Sequence, residues 1–316
     1  MPQRFATIDL GTNTALLLVA EREGAAFWPI HERAEITRLG QGVDGARRLL
    51  PEARRRSALV LADYVQEARA LGVGEGHLVA VATSAARDAR NQAELLAMVR
   101  ALAGVELEVI PGEVEADLTY RGATLDLEVA DDEALAVFDI GGGSSELILG
   151  TRARMGFRHS FDVGSVRLTE RFLRSDPPTA AESAALFDHL TALFAAAPRP
   201  ATPPTFVGVA GTVTTLFTLI HGIAPYDAAR VHRARMELDE LVAIRRELFS
   251  LTVEARKALR GIEPKRADVI AAGAAILECA MLRVGADHLT VSDRGLRFGL
   301  MQQRFGLMQQ RFGAPG

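Results

Sequence analysis

Apolar positions along this chain follow two rhythms, short runs of strand length and longer stretches with helical spacing. The short runs fall near residues 4–10, 15–20, 25–30, 78–82 and 105–110, then near 134–139, 145–150, 157–162, 205–210 and 288–291. Between them, Pro51, a favourable first-turn residue, opens a helix predicted to reach Leu71, before Gly72. A second helix is predicted after Asn91, with Leu95, Leu96, Val99 and Leu102 on one face. A third follows Pro111-Gly112 and carries Glu115, Leu118, Thr119 and Gly122. The second half repeats the logic, with helices near 179–196, 212–221, 237–249, 252–260 and 266–284, and a terminal helix from about Leu296. The run Pro198-Arg-Pro-Ala-Thr-Pro-Pro204 reads as a stiff surface connection before a buried strand.

Two of the strand pairs are joined by acidic glycine turns: Asp9-Leu-Gly11-Thr12-Asn13-Thr14, and Asp139-Ile-Gly141-Gly142-Gly143-Ser144-Ser145-Glu146. Glycines let backbone N–H groups converge on an anion, hydroxyls add donors, and a carboxylate at the strand end can hold a cation against it. Two such turns about 130 residues apart suggest similar halves serving one phosphate-bearing ligand. A third turn, Val207-Gly-Val-Ala-Gly211-Thr212, leaves a strand for a helix N-terminus, a setting suited to phosphate.

Composition narrows the field. At 316 residues, two domains are the default. A net charge of −4 gives no bulk attraction for DNA, so an anionic substrate needs a local basic site. Arg47-Arg48 and Arg54-Arg55-Arg56 form such a run, but arginines on an amphipathic helix read first as its solvated face. The single cysteine, Cys279, cannot form an intrachain disulfide and reads as a small buried hydrophobe. Asp9 interrupts the first apolar stretch, and no run approaches about 18 apolar residues, so the expectation is a cytoplasmic protein without a membrane span. The seven histidines lack metal-ligand spacing. There is no Gly-x-x-x-x-Gly-Lys-Ser/Thr loop. The C-terminus repeats Arg297-Phe-Gly-Leu-Met-Gln-Gln at Arg304 and begins it again at Arg311, which keeps Phe298, Phe305 and Phe312 roughly on one helix face.

The order of these turns resembles the actin-like ATPase and sugar-kinase superfamily. Within it the chain is similar over nearly its whole length to the exopolyphosphatase and guanosine pentaphosphate phosphatase (Ppx/GppA) family. Besides the three turns, the resemblance is carried by Thr37-Arg-Leu-Gly-Gln-Gly42, Ala82-Thr-Ser84-Ala-Ala-Arg87-Asp-Ala89, Pro111-Gly-Glu-Val-Glu115-Ala116, Gly164-Ser-Val-Arg167-Leu-Thr-Glu170, Arg266-Ala-Asp-Val-Ile-Ala-Ala-Gly273 and Ser292-Asp-Arg-Gly-Leu-Arg297. It implies two actin-like (ribonuclease H-like) α/β domains with mixed sheets flanked by helices and an active site in the cleft between them. Domain one would span 1–122, completed by the helix at 296–316, and domain two 123–295. Val114 and Phe298 stand where the family often carries glutamate, and the length matches its short form, which lacks the helical C-terminal region that helps long members bind polymer.

The resemblance also assigns roles. Glu115 matches the catalytic glutamate acting on water; by itself it reads as a helix N-terminal carboxylate complementing the dipole. Asp139 and Glu146 complete the implied catalytic set and, with Asp9, can supply hard oxygen ligands for Mg²⁺ or another divalent cation. Phosphate contacts are expected from Gly11, Thr12, Asn13 and Thr14, from Ser84, Arg87 and Asn91, from Gly141 through Ser145, and from Gly211 and Thr212. Alone, Arg87 would read as a surface helix residue, and Ser165 and Arg167 stand evenly between contact and scaffold. The leading expectation is Mg²⁺-dependent removal of orthophosphate from a polyphosphate terminus. The alternative is removal of the terminal phosphate of guanosine pentaphosphate, and a different class altogether is an actin-like nucleotide-binding switch or kinase. A homodimer is the family expectation.

Overall fold

A computed structural model of the chain describes residues 2–306. Two compact units emerge, one made of the residues up to Gly122 with the helix that begins at Leu296, the other of Ala123–Gly295.

In the first unit, β1 (Gln3–Leu10), β2 (Thr14–Glu23) and β3 (Ala26–Ile36) form an antiparallel meander. Helices α1 (Val43–Ala46) and α2 (Pro51–Ala70) lead to β4 (Leu78–Ala82); α3 (Ser84–Asp88) and α4 (Gln92–Ala103) lead to β5 (Leu107–Val109); α5 (Gly112–Ala123) follows. The sheet order is β3-β2-β1-β4-β5, with β4 parallel to β1 and β5 parallel to β4. Strand β1 is buried on both faces, and its period of two sorts its side chains. Ala6, Ile8 and Leu10 join Leu61, Tyr64, Leu95 and Val99 in one cluster, while Phe5 joins Leu18, Phe298 and Met301 in another. Strand β3 outruns its predicted span because an edge strand tolerates Pro29 and the polar side chains of His31, Glu32 and Arg33. On α4, Leu95 and Val99 are buried but Leu102 is exposed, so the apolar face is narrower than its spacing predicts.

The second unit runs β6 (Leu135–Ile140), β7 (Ser145–Thr151), β8 (Arg154–Phe161), α6 (Ser165–Phe172), α7 (Ala180–Phe194), β9 (Thr205–Val209) and α8 (Ala210–Ile220). It continues through α9 (Ala228–Val231), β10 (Arg235–Glu237), α10 (Leu238–Ser250), α11 (Val253–Lys257), a 3-10 turn at Pro264–Arg266, α12 (Ile270–Val284) and β11 (His288–Val291). Its sheet order is β10-β11-β9-β6-β7-β8. Reading β8-β7-β6-β9-β11 reproduces β3-β2-β1-β4-β5 in order and in strand sense, with β10 added antiparallel at one edge. The two units are thus two copies of one mixed-sheet topology, and the two acidic turns occupy equivalent places in them. Helix α12 is the buried centre of the second unit; Cys279 lies on it, and burial pushes its thiol up to about 12.

The last helix, α13 (Leu296–Phe305), docks on the first unit. Thr7 Oγ1 donates to the Arg297 carbonyl at 3.1 Å, and Arg297 donates to the Leu17 carbonyl at 2.8 Å. A methyl group at Gly299 would stand 1.9 Å from the Leu118 carbonyl oxygen, so only glycine lets α13 approach α5 this closely. Phe298 and Phe305 both face the sheet, as the repeat predicts; Phe312 lies outside the described residues. Among the described residues no helix is long and apolar enough to cross a membrane.

Candidate active site

The parallel pairings bring the chemistry-bearing turns of each unit to one end of its sheet. In the first unit Asp9 is in register with Val81 and Leu10 with Ala82, so the β1 turn and the start of α3 lie side by side. Gly11 N–H closes the turn on the Thr14 carbonyl at 3.0 Å. The turn's other carbonyls are tied back by residues 37–40. Gly40 N–H donates to the Thr12 carbonyl at 2.8 Å, and Thr37 and Arg38 both donate to the Asn13 carbonyl at 3.0 Å. Because a trans peptide points its N–H opposite to its C=O, the Asn13 amide, which follows the Thr12 carbonyl, faces the other way. Thr12 and Asn13 are buried, yet their backbone N–H groups donate to no described residue. Gly40 makes this clamp: a methyl group there would stand 2.2 Å from the Thr12 methyl.

The second unit repeats the device with more donors. Gly141 N–H closes on the Ser144 carbonyl at 3.0 Å. The first amides of α6 then bind the glycine carbonyls, Ser165 N to Gly141 O at 3.0 Å, and Val166 N and Arg167 N to Gly142 O at 2.9 and 3.0 Å. The buried Arg167 guanidinium takes the Gly143 carbonyl through Nε at 2.6 Å. With three successive carbonyls turned toward α6, the N–H groups of Gly142, Gly143 and Ser144 are turned away from it and donate to no described residue. This turn, with three buried residues whose amides lack acceptors, is suited to an anion, since leaving such donors unsatisfied is costly. The α8 corner abuts it: Thr212 Oγ1 donates to the Ile140 carbonyl at 3.2 Å, and the Arg266 guanidinium packs on Gly211, 2.4 Å from where a methyl group would stand. Burial holds Arg266 below its ordinary value. Ala210, at the strand-to-helix corner, holds a left-handed φ of 72°, a strained conformation for a residue with a Cβ.

The carboxylates divide between the units. Glu115 lies in the first turn of α5, nearly buried, where Arg87 Nη1 contacts its Oε2 at 3.0 Å. Asp139 and Glu146 are directly paired across β6 and β7, so their side chains share a sheet face. Ser160 Oγ on β8 donates to Glu146 Oε1 at 2.6 Å. Like charges directly opposite on a sheet repel, and a cation relieves this. Mg²⁺ keeps waters and phosphate oxygens around one or two carboxylates, so this cross-strand pair fits it without a full protein cage. Among the described residues no group of three or more His, Cys, Asp or Glu side chains is arranged to hold a metal by itself.

Several residues do more structural work than their spacing suggests. The Asn91 side chain is spent on the Leu49 backbone, accepting from its N–H at 2.8 Å and donating to its carbonyl at 3.0 Å. Ser84 is buried in the first turn of α3. Ser145 Oγ donates to the Val163 carbonyl at 2.8 Å, closing the turn from beneath. The arginine run is not simply a solvated face: Arg54 is buried against Glu94, Arg56 donates to the Thr37 carbonyl at 2.6 Å, and only Arg55 of the three is exposed. Gly164 and Ser160 escape a reading of spacing. Gly164's Cβ position lies 2.4 Å from the Gly142 carbonyl, and Ser160 reaches Glu146 from a strand whose alternation marks it only as polar.

The chain is similar to known proteins along most of its length. The Ppx/GppA phosphatase family pattern matches residues 18–306. The chain is 39% identical over 316 residues to a Mycobacterium tuberculosis protein named Exopolyphosphatase 2, covering 94% of this chain and 97% of that one. Among solved structures, the Aquifex aeolicus PPX-GPPA enzyme superposes with a TM-score of 0.80 at 32% identity, covering 96% of this chain and all (100%) of the other. An exopolyphosphatase from Cytophaga hutchinsonii superposes with a TM-score of 0.87 at 26% identity, covering 96% and 98%.

Proposed function

The chain belongs to the Ppx/GppA phosphatase family, and from that premise we propose that it is an Mg²⁺-dependent exopolyphosphatase that releases orthophosphate from the end of a polyphosphate chain. One observation supports the reading above the others: each unit carries a turn whose carbonyls are tied back and whose buried amides lack acceptors, a receptor for phosphate oxygens. A transferring phosphoryl group spreads charge over its oxygens, and fixed amide donors stabilise that charge at no reorganisation cost.

The reaction is hydrolysis. Glu115 accepts a proton from water as the water oxygen bonds to the terminal phosphorus. The bond from that phosphorus to the bridging oxygen breaks, and the shortened chain leaves with the electron pair. Asp139 and Glu146, with Asp9 of the other acidic turn, are the proposed residues that would hold Mg²⁺, which would supply neutralisation of phosphate charge. The amides of Thr12, Asn13, Gly142, Gly143 and Ser144, with Gly11, Thr14, Ser145, Ser84, Arg87, Gly211 and Thr212 around them, bind and orient the substrate in this reading, while Asn91 braces Leu49. Helix α8 begins at Ala210, so its N-terminus adds a further positive end.

The test is phosphate release by purified protein with Mg²⁺, offered long polyphosphate, tripolyphosphate, guanosine pentaphosphate and ATP in parallel. The proposal expects polyphosphate to be the best substrate. A preference for guanosine pentaphosphate would move the protein to the alarmone phosphatases, and release from none, with ATP bound, to the nucleotide switches. The same preparation tests the expected homodimer by its sedimentation mass.

A further inference from the structure

Arg87 is tethered in a way that neither a surface residue nor a simple phosphate ligand requires. It stands in the last turn of α3. Its Nη1 donates both to the Ile110 carbonyl at 2.9 Å, where β5 gives way to α5, and to Glu115 Oε2 at 3.0 Å. The Glu115 side chain is 10% exposed and that of Arg87 27%. Complementing the dipole of its own helix does not require a partner, yet this glutamate is turned inward onto an arginine of another helix. A guanidinium has five N–H donors in a rigid plane. Here both contacts use Nη1, while Nε and Nη2 donate to no described residue. That remaining edge has the two parallel N–H vectors that match two oxygens of a phosphate.

We propose that Arg87 is a positioning residue that sets Glu115 against the terminal phosphate. One end of its guanidinium holds the carboxylate while the opposite edge engages phosphate oxygens. The rigid plane fixes the distance and angle between base and phosphorus, and the Ile110 contact anchors the assembly to the end of β5. Substrate binding and alignment of the base become one event, because the same planar group takes part in both. A lysine cannot do this: its compact ammonium can pair with Glu115 or with phosphate but does not span the two in a fixed plane. This inference rests on the reading of Glu115 as the base that accepts the proton from water.

The experiment is a double-mutant cycle in the full chain, read by turnover and by binding. Turnover of tripolyphosphate with Mg²⁺ is measured for wild type, Arg87→Lys, Glu115→Gln and the pair. Tripolyphosphate affinity is measured by calorimetry for Glu115→Gln and for the pair, where turnover does not interfere. The proposal expects Arg87→Lys to lower kcat by about tenfold or more and to raise KM several-fold. It expects the pair to turn over no more slowly than Glu115→Gln alone, because the alignment is already without its base, yet to bind tripolyphosphate about tenfold more weakly. Independent, multiplying losses in turnover would overturn the positioning role and leave the hydrolase reading standing. Equal affinity of Glu115→Gln and of the pair would overturn it as well, since Arg87 would then be only a peg between Ile110 and α5. Full activity in Glu115→Gln would sink both the base and this inference. Melting curves identify a lysine variant that fails to fold, and Arg87→Gln then repeats the cycle.

Discussion

Replacing Gly164 with alanine tests the amide receptor by displacing it without touching its chemistry. Gly164 has an extended backbone, φ −156° and ψ 163°, which alanine adopts without strain, so the consequence is steric. The new methyl would lie 2.4 Å from the carbonyl carbon and oxygen of Gly142 and 2.5 Å from Gly143 N. These are backbone atoms of the turn itself, with no flexible side-chain end to swing aside. Ordinary contact begins near 3.4 Å, so α6 and the turn must separate by about 1 Å. That movement stretches the bonds from Ser165, Val166 and Arg167 that hold the glycine carbonyls back. Overpacking of this kind costs about 1–3 kcal/mol of stability. A 1 Å misplacement of transition-state donors costs on the order of 10²-fold in rate. The assay is kcat/KM for phosphate release beside a melting curve, with Gly45→Ala as control because nothing lies within 4 Å of its Cβ position. A folded Gly164→Ala protein with wild-type kcat/KM would refute the claim that the α6 contacts set the receptor.

Three further predictions concern other parts of the molecule. His232 lies between Asp126, at 2.8 Å from Nε2, and Asp293, at 2.9 Å from Nδ1; burial disfavours its charged form, but the hydrogen bonds and charges of Asp293 and Asp126 outweigh burial and hold it above its ordinary value. The stabilisation is therefore complete below the unfolded value of about 6.5 and fades as pH rises through the folded value. The melting difference between wild type and His232→Gln should shrink with rising pH, and a difference that grows would contradict the assignment. Ala210→Gly should relieve the left-handed strain and raise stability by about 1 kcal/mol in denaturant titrations, whereas a loss would show that the Cβ contacts outweigh the strain. Asp139→Asn should raise the Mg²⁺ concentration for half-maximal rate by at least about tenfold, and an unchanged titration would remove Asp139 from the ligand set.

What could be read in the sequence was whatever repeats locally. The apolar runs before Asp9 and Asp139 end in glycine turns, and β1–β2 and β6–β7 form there; Pro51 opens α2 as its fixed φ predicts. Short elements held by tertiary contacts were not legible. Strand β10 is three residues long and exists by pairing with β11, and α11 stops at Lys257 before Gly261 takes a φ of 97°. Helix α6 falls between predicted elements because its first amides are satisfied by loop carbonyls rather than by a capping side chain, which leaves no Ser, Thr or Asp signature of the usual kind. The site shows the same division. The turns stand out by residue type, and Glu115 only through the family resemblance. Arg167, by contrast, reads as a charge but serves as a donor to Gly143, and Asn91 reads as a polar contact but serves as a brace for Leu49. Such roles depend on which backbone group lies opposite, and no local spacing encodes that.

The central claim, that Glu115 directs water onto a terminal phosphorus, is tested most directly by hydrolysing polyphosphate in ¹⁸O-labelled water with wild type and with Glu115→Gln. The account predicts one labelled oxygen in each orthophosphate released by wild type, none in the shortened chain, and a rate at least ~10²-fold lower in the variant. Label in the remaining chain, or undiminished release by Glu115→Gln, would contradict it.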